Sequence, residues 1–433
     1  MPATPAPASD LLAPASRYGR TMLDAARWSV VGMAAVLPFS TAATNVFMAL
    51  ALIAWLASGQ VLASVRLMAR QPVAVGATLA VLALCVGALW SSAPPEAWAE
   101  AISKYRKLLL LALLVVLLGD WRWQSRVLLA FFGSVAVLLL VSTGIYLGVP
   151  GLPEMDWYQG AIVRRSHITH STMMALLVLA SGVFAWRTRV PWQRGVALAI
   201  AALALANMLT MIHGRTGYLL VAALLLWAGL QRFGWKGAVA ALALGATVAV
   251  TVYSTVPSVR QRVDMVRSDL SEYRSGEIIS SSGVRLHFYK RAIQILRDHP
   301  WLGTGTGSWS VEYERRNAND PEILKTFPGL GNPHNDYLLI GVQLGLAGIA
   351  LFVAALVALY RLAGRLPTAR AWLARGTLVA YASGALVNSF LWDAAEGTIF
   401  VLLIGALFAG PWPPRAARSG AAGSGAAHSG AAG

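Results

Sequence analysis

A single histidine marks the point where a long polar segment gives way to an apolar run. Pro333-His334-Asn335-Asp336 closes the polar segment 257–336, and hydrophobic residues follow at once. A histidine with an ordinary pKa can take a proton from a hydroxyl group, and its activity as a base rises with pH through about 6–7. Pro333 fixes the approach of the backbone, and Asn335 and Asp336 are available to orient the ring. The alternative is an interfacial histidine that caps the next helix.

A candidate anion-binding arginine lies in the short segment 213–217 (His-Gly-Arg-Thr-Gly), between two apolar runs. The guanidinium group of Arg215 is a planar fork of donors, which matches a phosphate group better than a lysine does. Gly214 and Gly217 would allow a ligand to approach the backbone closely. An arginine at a membrane boundary also commonly serves as a snorkelling anchor, which is the alternative here.

A second arginine is placed against a local helical preference. Ser282 is a suitable N-cap for a helix, and Arg285 then falls in its first turn. A cation there opposes the helix dipole at a cost of roughly a few tenths of a kcal/mol, so we expect a functional reason for it. The apolar face predicted for this helix consists of Leu286, Tyr289, Ile293 and Leu296.

A glycine-rich segment follows this helix, which Pro300 is expected to end. Residues 303–307 (Gly-Thr-Gly-Thr-Gly) could cradle a phosphate with their backbone N–H groups. The segment lacks the Lys-Ser/Thr pair of a nucleotide-binding P-loop, so a turn that links helix to loop is favoured.

Several other polar residues flank the apolar runs and are secondary candidates for a site. They are Lys104, Arg106, Arg164, Arg165, His167, His170 and His213. The i, i+3 spacing of His167 and His170 could suit a metal ion, but no cysteine or carboxylate pattern accompanies it, so we expect no metal site. Lys104 and Arg106 either snorkel toward lipid headgroups or bind an anionic lipid group.

Membrane-embedded helices have to position these side chains. Hydrophobic residues make up 57% of the chain and charged residues 12%, whereas soluble domains carry about 25% charged residues. A helix of about twenty apolar residues spans a bilayer. The sequence therefore predicts an all-α polytopic membrane protein of about twelve transmembrane helices. The predicted spans are 27–39, 43–58, 74–90, 107–119, 127–148, 170–186, 196–212, 217–231, 236–256, 337–360, 372–391 and 396–410.

The chain divides at the long polar segment, which is too long for a tight connection and is expected to be a helical, functional loop domain. Residues 1–26 are predicted as a flexible cytoplasmic N-terminus, and 27–256 as the first nine transmembrane helices. Residues 257–336 form the loop domain, 337–410 carry the last three helices, and 411–433 form a low-complexity cytoplasmic tail. A signal peptide is the alternative for the first run, but no clear small-residue cleavage site follows it.

The distribution of basic residues predicts the orientation of these helices. Arginine and lysine are concentrated in the short connections on one side, which the positive-inside rule assigns to the cytoplasm, so the loop domain faces outward. The net charge of +16 is then largely a topology signal. A nucleic-acid-binding protein would concentrate its basic residues on one soluble face, so no such partner is expected. Cys85 is the only cysteine, which excludes an intrachain disulfide.

These residues together resemble the bacterial O-antigen ligase family, within the broader ligase/polymerase superfamily. The resemblance is carried by Arg215 in its His-Gly-Arg-Thr-Gly segment and by Arg285 with the helix that follows. It continues through residues 300–305 (Pro-Trp-Leu-Gly-Thr-Gly) and 333–338 (Pro-His-Asn-Asp-Tyr-Leu), which lead into 345–348 (Gly-Leu-Ala-Gly). It covers roughly residues 200–410.

The resemblance implies a membrane glycosyltransferase of GT-C-like architecture in the bacterial inner membrane, with its active site on the periplasmic side. It implies transfer of O-antigen from undecaprenyl pyrophosphate to a sugar hydroxyl of lipid A–core, in lipopolysaccharide biosynthesis. His334 would be the catalytic base, and Arg215 and Arg285 would bind the pyrophosphate. The reaction would invert the anomeric carbon and need no metal, ATP or other cofactor. Partners would be the two glycolipids and membrane lipids.

Two other functions are compatible with parts of this pattern. An O-antigen polymerase of the same superfamily would use the same donor chemistry on a growing glycan. A twelve-span transporter belongs to a different class, and it would place ionisable groups at mid-membrane and often show two similar halves. Here the two halves are unlike, and the candidate charges crowd one surface, so the transferase is favoured.

Overall fold

The computed structural model describes residues 12, 16–156, 160–163, 166–212, 214–255, 260–261, 264, 281–327, 329 and 331–410. The described chain is mainly helical. The helices are α1 (Arg17–Val36), α2 (Thr41–Ala57), α3 (Val61–Met68), α4 (Pro72–Gly87), α5 (Pro95–Tyr105), α6 (Lys107–Leu117), α7 (Trp121–Tyr146), α8 (His167–Arg187), α9 (Pro191–Ala206), α10 (Arg215–Thr255), α11 (Ser281–Asp298), α12 (Trp309–Arg316), α13 (Pro321–Thr326), α14 (Asp336–Ala363), α15 (Thr368–Gly384) and α16 (Ala394–Phe408).

Every predicted span overlaps a helix, yet fewer helices are long and apolar enough to cross a bilayer. Six described helices meet both conditions, or seven if α2 and α3, bent by 107°, form one span. Helix α10 counts once, although Gly234 (φ 63°) breaks it into two arms that match the eighth and ninth predicted spans. These apolar helices are consistent with a multi-pass membrane protein. The total of about twelve spans stays a prediction.

Two of the short predicted spans, 107–119 and 396–410, correspond to helices whose side chains are mostly buried. Helix α6 has 11 residues and α16 has 15, and most side chains of both are buried. They pack closely, because a Cβ added at Gly405 would lie 2.8 Å from the Cβ of Leu114. A helix enclosed by protein need not match the thickness of the lipid, which explains why these two can be short.

At the N-terminus, α1 begins earlier than the sequence analysis places its first span. Ser16 caps the helix by accepting a hydrogen bond from the backbone N–H of Gly19, at 3.0 Å. Residues 17–26 are therefore helical rather than part of a flexible terminus. The predicted tail, residues 411–433, lies outside the described residues.

The described part of the segment 257–336 contains α11, α12 and α13, and α11 and α12 pack against α14. The buried face of α11 consists of Phe288, Ala292 and Ile295, while Ile293 is 40% exposed. The predicted apolar face was therefore wrong in its register along the helix. The reason is that α11 turns its aromatic residue Phe288 toward Trp309 and Tyr313 of α12.

Residues 385–393 form a connection without regular helix between α15 and α16, here called the 385–393 segment. The sequence analysis extended a span through residue 391, but α15 ends at Gly384. The side chain of Phe390 explains the early end, since it folds back against Gly384, where a Cβ would lie 2.2 Å from its ring. The non-helical backbone of the 385–393 segment lies against the first turn of α14, where the carbonyl of Ala385 accepts a hydrogen bond from the N–H of Asp336.

Candidate active site

His334 is held by its backbone in an uncommon conformation. Its φ of 55° is the one positive value among the described residues other than glycine. The backbone N–H of His334 donates to Oδ1 of Asn332 at 2.8 Å, which closes a tight turn around Pro333. The hydroxyl group of Tyr289 lies 3.1 Å from the His334 carbonyl oxygen and 3.2 Å from that of Leu386. Helix α11 and two loops therefore fix this backbone.

The imidazole ring of His334 lies beside an aromatic ring and near a cation. It stacks almost parallel to Phe288, with ring centroids 6.3 Å apart and an interplanar angle of 16°. Burial, and then the charge of Arg285, lower the pKa of His334 to about 4. The ring is thus neutral at physiological pH, and the fall in activity that an ordinary histidine would cause at pH 6–7 is expected only near pH 4.

Asn335 and Asp336 do not orient this ring, contrary to expectation. Asn335 caps α14 by accepting from the N–H of Leu338 at 3.0 Å, and its Nδ2 donates to the carbonyl of Leu386 at 2.8 Å. Asp336 is fully buried and accepts from the N–H of Leu391 at 3.0 Å. Both side chains fasten α14 to the 385–393 segment, because the first turn of a buried helix needs partners for its N–H groups.

Arg285, in α11, lies near His334. The region that contains His334, Arg285 and Asn388 is here called the corner around His334. Nη2 of Arg285 donates to Oδ1 of Asn388 at 3.4 Å. The amide Nδ2 of Asn388 donates in turn to Oγ1 of Thr216 at 3.0 Å. Asn388 is 1% exposed and Thr216 is 4% exposed, so this connection runs through the interior. It joins Arg285 to the residue that follows Arg215.

Arg215 is the first residue of α10, and its side chain is half-buried. The glycines around it serve packing. A Cβ at Gly214 would lie 2.8 Å from Oγ of Ser171, and a Cβ at Gly217 would lie 2.9 Å from the Cβ of Ser171. The expectation that these glycines admit a ligand was therefore wrong, since they allow α10 to approach α8. The close packing places the N-terminal turns of the two helices side by side.

The secondary candidates fall into different surroundings. His170 is fully buried in α8, and His167 begins that helix. Nζ of Lys104 lies 5.8 Å from the ring centroid of Trp392 in the 385–393 segment and 3.3 Å from Oε1 of Glu100. Arg106 is exposed between α5 and α6. Arg164, Arg165 and His213 lie outside the described residues.

Lys107, next to these candidates, points inward. Its Nζ donates to the carbonyl of Asp393 at 2.6 Å and lies 3.3 Å from that of Trp392. It therefore fastens α6 to the 385–393 segment and is not directed toward lipid headgroups.

The glycine-rich segment 303–307 is a structural element. The N–H groups of Thr304 and Gly305 donate to the carbonyls of Val342 and Gln343, at 2.8 and 3.0 Å. The N–H of Gly307 donates to Oε1 of Gln343 at 2.9 Å. These donors are committed to protein acceptors, so the turn is the correct interpretation and the phosphate cradle is not. Among the described residues, no group of three or more His, Cys, Asp and Glu side chains could hold a metal ion.

The arrangement pairs a neutral base with cationic groups. A buried neutral imidazole can accept a proton, and a nearby guanidinium group can stabilise negative charge on a leaving group. Arg215 is the first residue of α10, and the N-terminus of a helix carries partial positive charge and favours anions. Arg285 lies one turn after Ser281, the first residue of α11. The corner therefore suits the transfer of a group from an anionic donor to a hydroxyl acceptor.

The sequence analysis missed the residue that connects the two arginine motifs. Asn388 was assigned to the end of an apolar span, where a polar side chain would be costly. The pair Asn388-Ser389, followed by Asp393, is the signal that could have marked the end of that span. That Asn388 faces Arg285 follows only from the packing of α10, α11 and α15.

Comparison with known proteins covers part of the chain. Residues 199–353 match the family model described as O-antigen ligase. The match includes Arg215, Arg285 and His334 and ends before the 385–393 segment. No curated protein matches the chain. This match confirms the resemblance inferred from the sequence: over residues 199–353 the chain is similar to the O-antigen ligase family.

Proposed function

We propose that this protein is an O-antigen ligase, which transfers a glycan from undecaprenyl pyrophosphate to a sugar hydroxyl of lipid A–core on the periplasmic face of the inner membrane. One observation carries the proposal. Arg285 and Thr216, the residue next to Arg215, both hydrogen-bond to Asn388 in the 385–393 segment. The backbone of His334 is linked to the same segment through the hydroxyl group of Tyr289, which contacts the carbonyl oxygens of His334 and Leu386. A base and two arginine-bearing helix turns therefore share one corner.

His334 is the proposed general base. Its ring accepts the proton of the acceptor hydroxyl while the hydroxyl oxygen attacks the anomeric carbon of the donor sugar. The bond between that carbon and the pyrophosphate oxygen breaks, and its electron pair leaves with the pyrophosphate. Attack opposite the leaving group inverts the anomeric carbon. The low pKa of His334 keeps the ring unprotonated before the reaction.

Arg215 and Arg285 are the proposed ligands of the pyrophosphate. Negative charge develops on the leaving oxygen during bond breaking, and fixed donors in a water-poor corner stabilise it more effectively than water does. Energy enters with the donor, so we expect the reaction to need neither ATP nor a metal ion. We expect purified protein to transfer glycan in the presence of EDTA.

The lipopolysaccharide banding pattern of a deletion strain tests this function. A ligase deletion removes the whole O-antigen ladder and leaves the core intact, and the intact gene restores the ladder. A core that carries a single repeat would instead identify a polymerase. An unchanged ladder would overturn the proposal.

A further inference from the structure

The two hydrogen bonds of Asn388 define the orientation of its side-chain amide group. A guanidinium group can only donate hydrogen bonds, so the carbonyl oxygen of the Asn388 amide must face Arg285 and its NH2 group must face Thr216. Both ends of the amide are thus engaged, in the interior of the protein. An asparagine is also neutral, so it holds Arg285 without cancelling the positive charge.

We propose that Asn388 is a positioning residue for the anion site, holding Arg285 and the first turn of α10 in one arrangement that receives the pyrophosphate of the donor. This inference rests on the proposed function. It extends the site beyond residues 199–353, which are the part that matches the family. A guanidinium group that the protein already holds in place loses less conformational freedom when a ligand binds, and this pre-organisation reduces the ordering cost of binding.

The position of Asn388 in the chain supports a role in the site. The 385–393 segment also accepts the N–H of Asp336 at the carbonyl of Ala385, at 2.9 Å, and receives Asn335 at Leu386. The same short segment therefore orders both the arginine side and the His334 side of the corner. Asn388 is the member whose side chain contacts Arg285.

Three substitutions separate positioning from simple packing. Asn388→Ala releases Arg285 and leaves Thr216 without this donor, and we expect the donor KM to rise about tenfold with a smaller change in kcat. Asn388→Asp keeps the shape but places a negative charge beside Arg285, so the donor KM should rise further. Thr216→Val removes the other end of the connection and should raise the donor KM less than Asn388→Ala.

The neighbouring residue offers a matched control. Ser389 is fully buried, and its hydroxyl group makes no hydrogen bond within the described part of the chain. Ser389→Ala should leave both the donor KM and the melting temperature close to wild type. If Asn388 served packing alone, Asn388→Ala would lower the melting temperature without changing the donor KM of the folded protein, and Asn388→Asp would be nearly silent.

Binding of undecaprenyl pyrophosphate to the purified full-length protein in nanodiscs is the decisive measurement, with transfer assayed in parallel. We expect wild type to bind, Arg215→Lys and Arg285→Lys to bind more weakly, and Asn388→Ala to bind about tenfold more weakly. Adding Asn388→Ala to Arg285→Lys should weaken binding little more, because the two residues act together.

The outcomes distinguish the two proposals. If the Arg285→Lys variant loses affinity while Asn388→Ala and Asn388→Asp bind as wild type does, the role of Asn388 is overturned and the ligase function stands. If wild type does not bind undecaprenyl pyrophosphate, or if both lysine variants bind and transfer normally, the proposed function fails and the role of Asn388 fails with it.

Discussion

The glycine-rich segment 303–307 and the corner around His334 meet the same helix, α14, and use their polar groups differently. In segment 303–307 the N–H groups of Thr304, Gly305 and Gly307 are paired with oxygen atoms of Val342 and Gln343 in α14. At His334 the backbone is paired, whereas the imidazole ring makes no hydrogen bond to any described residue. The first region uses its polar groups to hold the fold, whereas the second contains an imidazole ring that no described residue hydrogen-bonds, as the proposed role of His334 as a base requires.

Gly303 and Gly345 show that the backbone around segment 303–307 is closely packed. Helix α14 breaks at Gly345 (φ 65°), and the N–H of Leu346 donates to the carbonyl of Pro300 at 2.7 Å. A Cβ at Gly345 would lie 2.3 Å from the backbone of Trp301, and one at Gly303 would lie 2.4 Å from the carbonyl of Val342. A recurrent glycine motif therefore identifies a close backbone contact here and not a ligand cradle.

The largest effect on transfer is expected at His334. His334→Asn should lower the transfer rate by about 10²- to 10⁴-fold, because it removes the base, while asparagine tolerates the left-handed backbone that alanine would strain. The rate is measured with purified protein at saturating donor, next to the melting temperature. His299→Asn, which changes an exposed histidine at the end of α11, should transfer normally. Transfer by His334→Asn at the wild-type rate would remove this residue from the mechanism.

The second prediction concerns stability in the glycine-rich region. Gly345→Ala should lower the free energy of unfolding by more than about 2 kcal/mol, because it adds backbone overlap to the cost of a positive φ. Its melting temperature should fall, while transfer per folded molecule stays near wild type. Gly59→Ala is the matched control, since Gly59 has a φ of 71° but no atom within 4 Å of an added Cβ. Equal melting temperatures for the two variants would show that the contact with Trp301 contributes nothing.

The smallest effect is a shift in the pH profile. Because the folded pKa of His334 is lowered to about 4, the base is fully unprotonated above about pH 5, and kcat/KM for the donor should fall only as pH drops through about 4. Arg285→Gln removes a positive charge that lowers the pKa of His334, so the pH at which kcat/KM falls should move toward neutral. Arg297→Gln, at an exposed position of the same helix, should leave it unchanged. A fall in kcat/KM at pH 6–7 in wild type would mean that the ring is not buried as described.

Several features of the site follow from local sequence. The three candidate residues His334, Arg215 and Arg285 stand at the ends of apolar runs or in the first turns of helices, and these signals depend on neighbours in the chain. The helical nature of each predicted span followed from apolar composition for the same reason. The buried face of α11 could not be predicted from the local sequence, because two faces of that helix carry apolar residues. Only the contact with α12 determines which of them is buried.

The sequence by itself determined that the chain is helical and strongly apolar, and that a basic and histidine-bearing set of residues flanks the apolar runs. Tertiary structure alone decided that Asn388 joins Arg285 to Thr216, that Asn335 and Asp336 hold the helix rather than the imidazole ring, and that residues 303–307 close a break in α14. Apart from the bond by which Asn335 caps α14 at Leu338, these contacts join residues about 40 or more positions apart in the chain. Composition and periodicity report local preferences, whereas hydrogen-bond partners across such separations depend on how the helices pack.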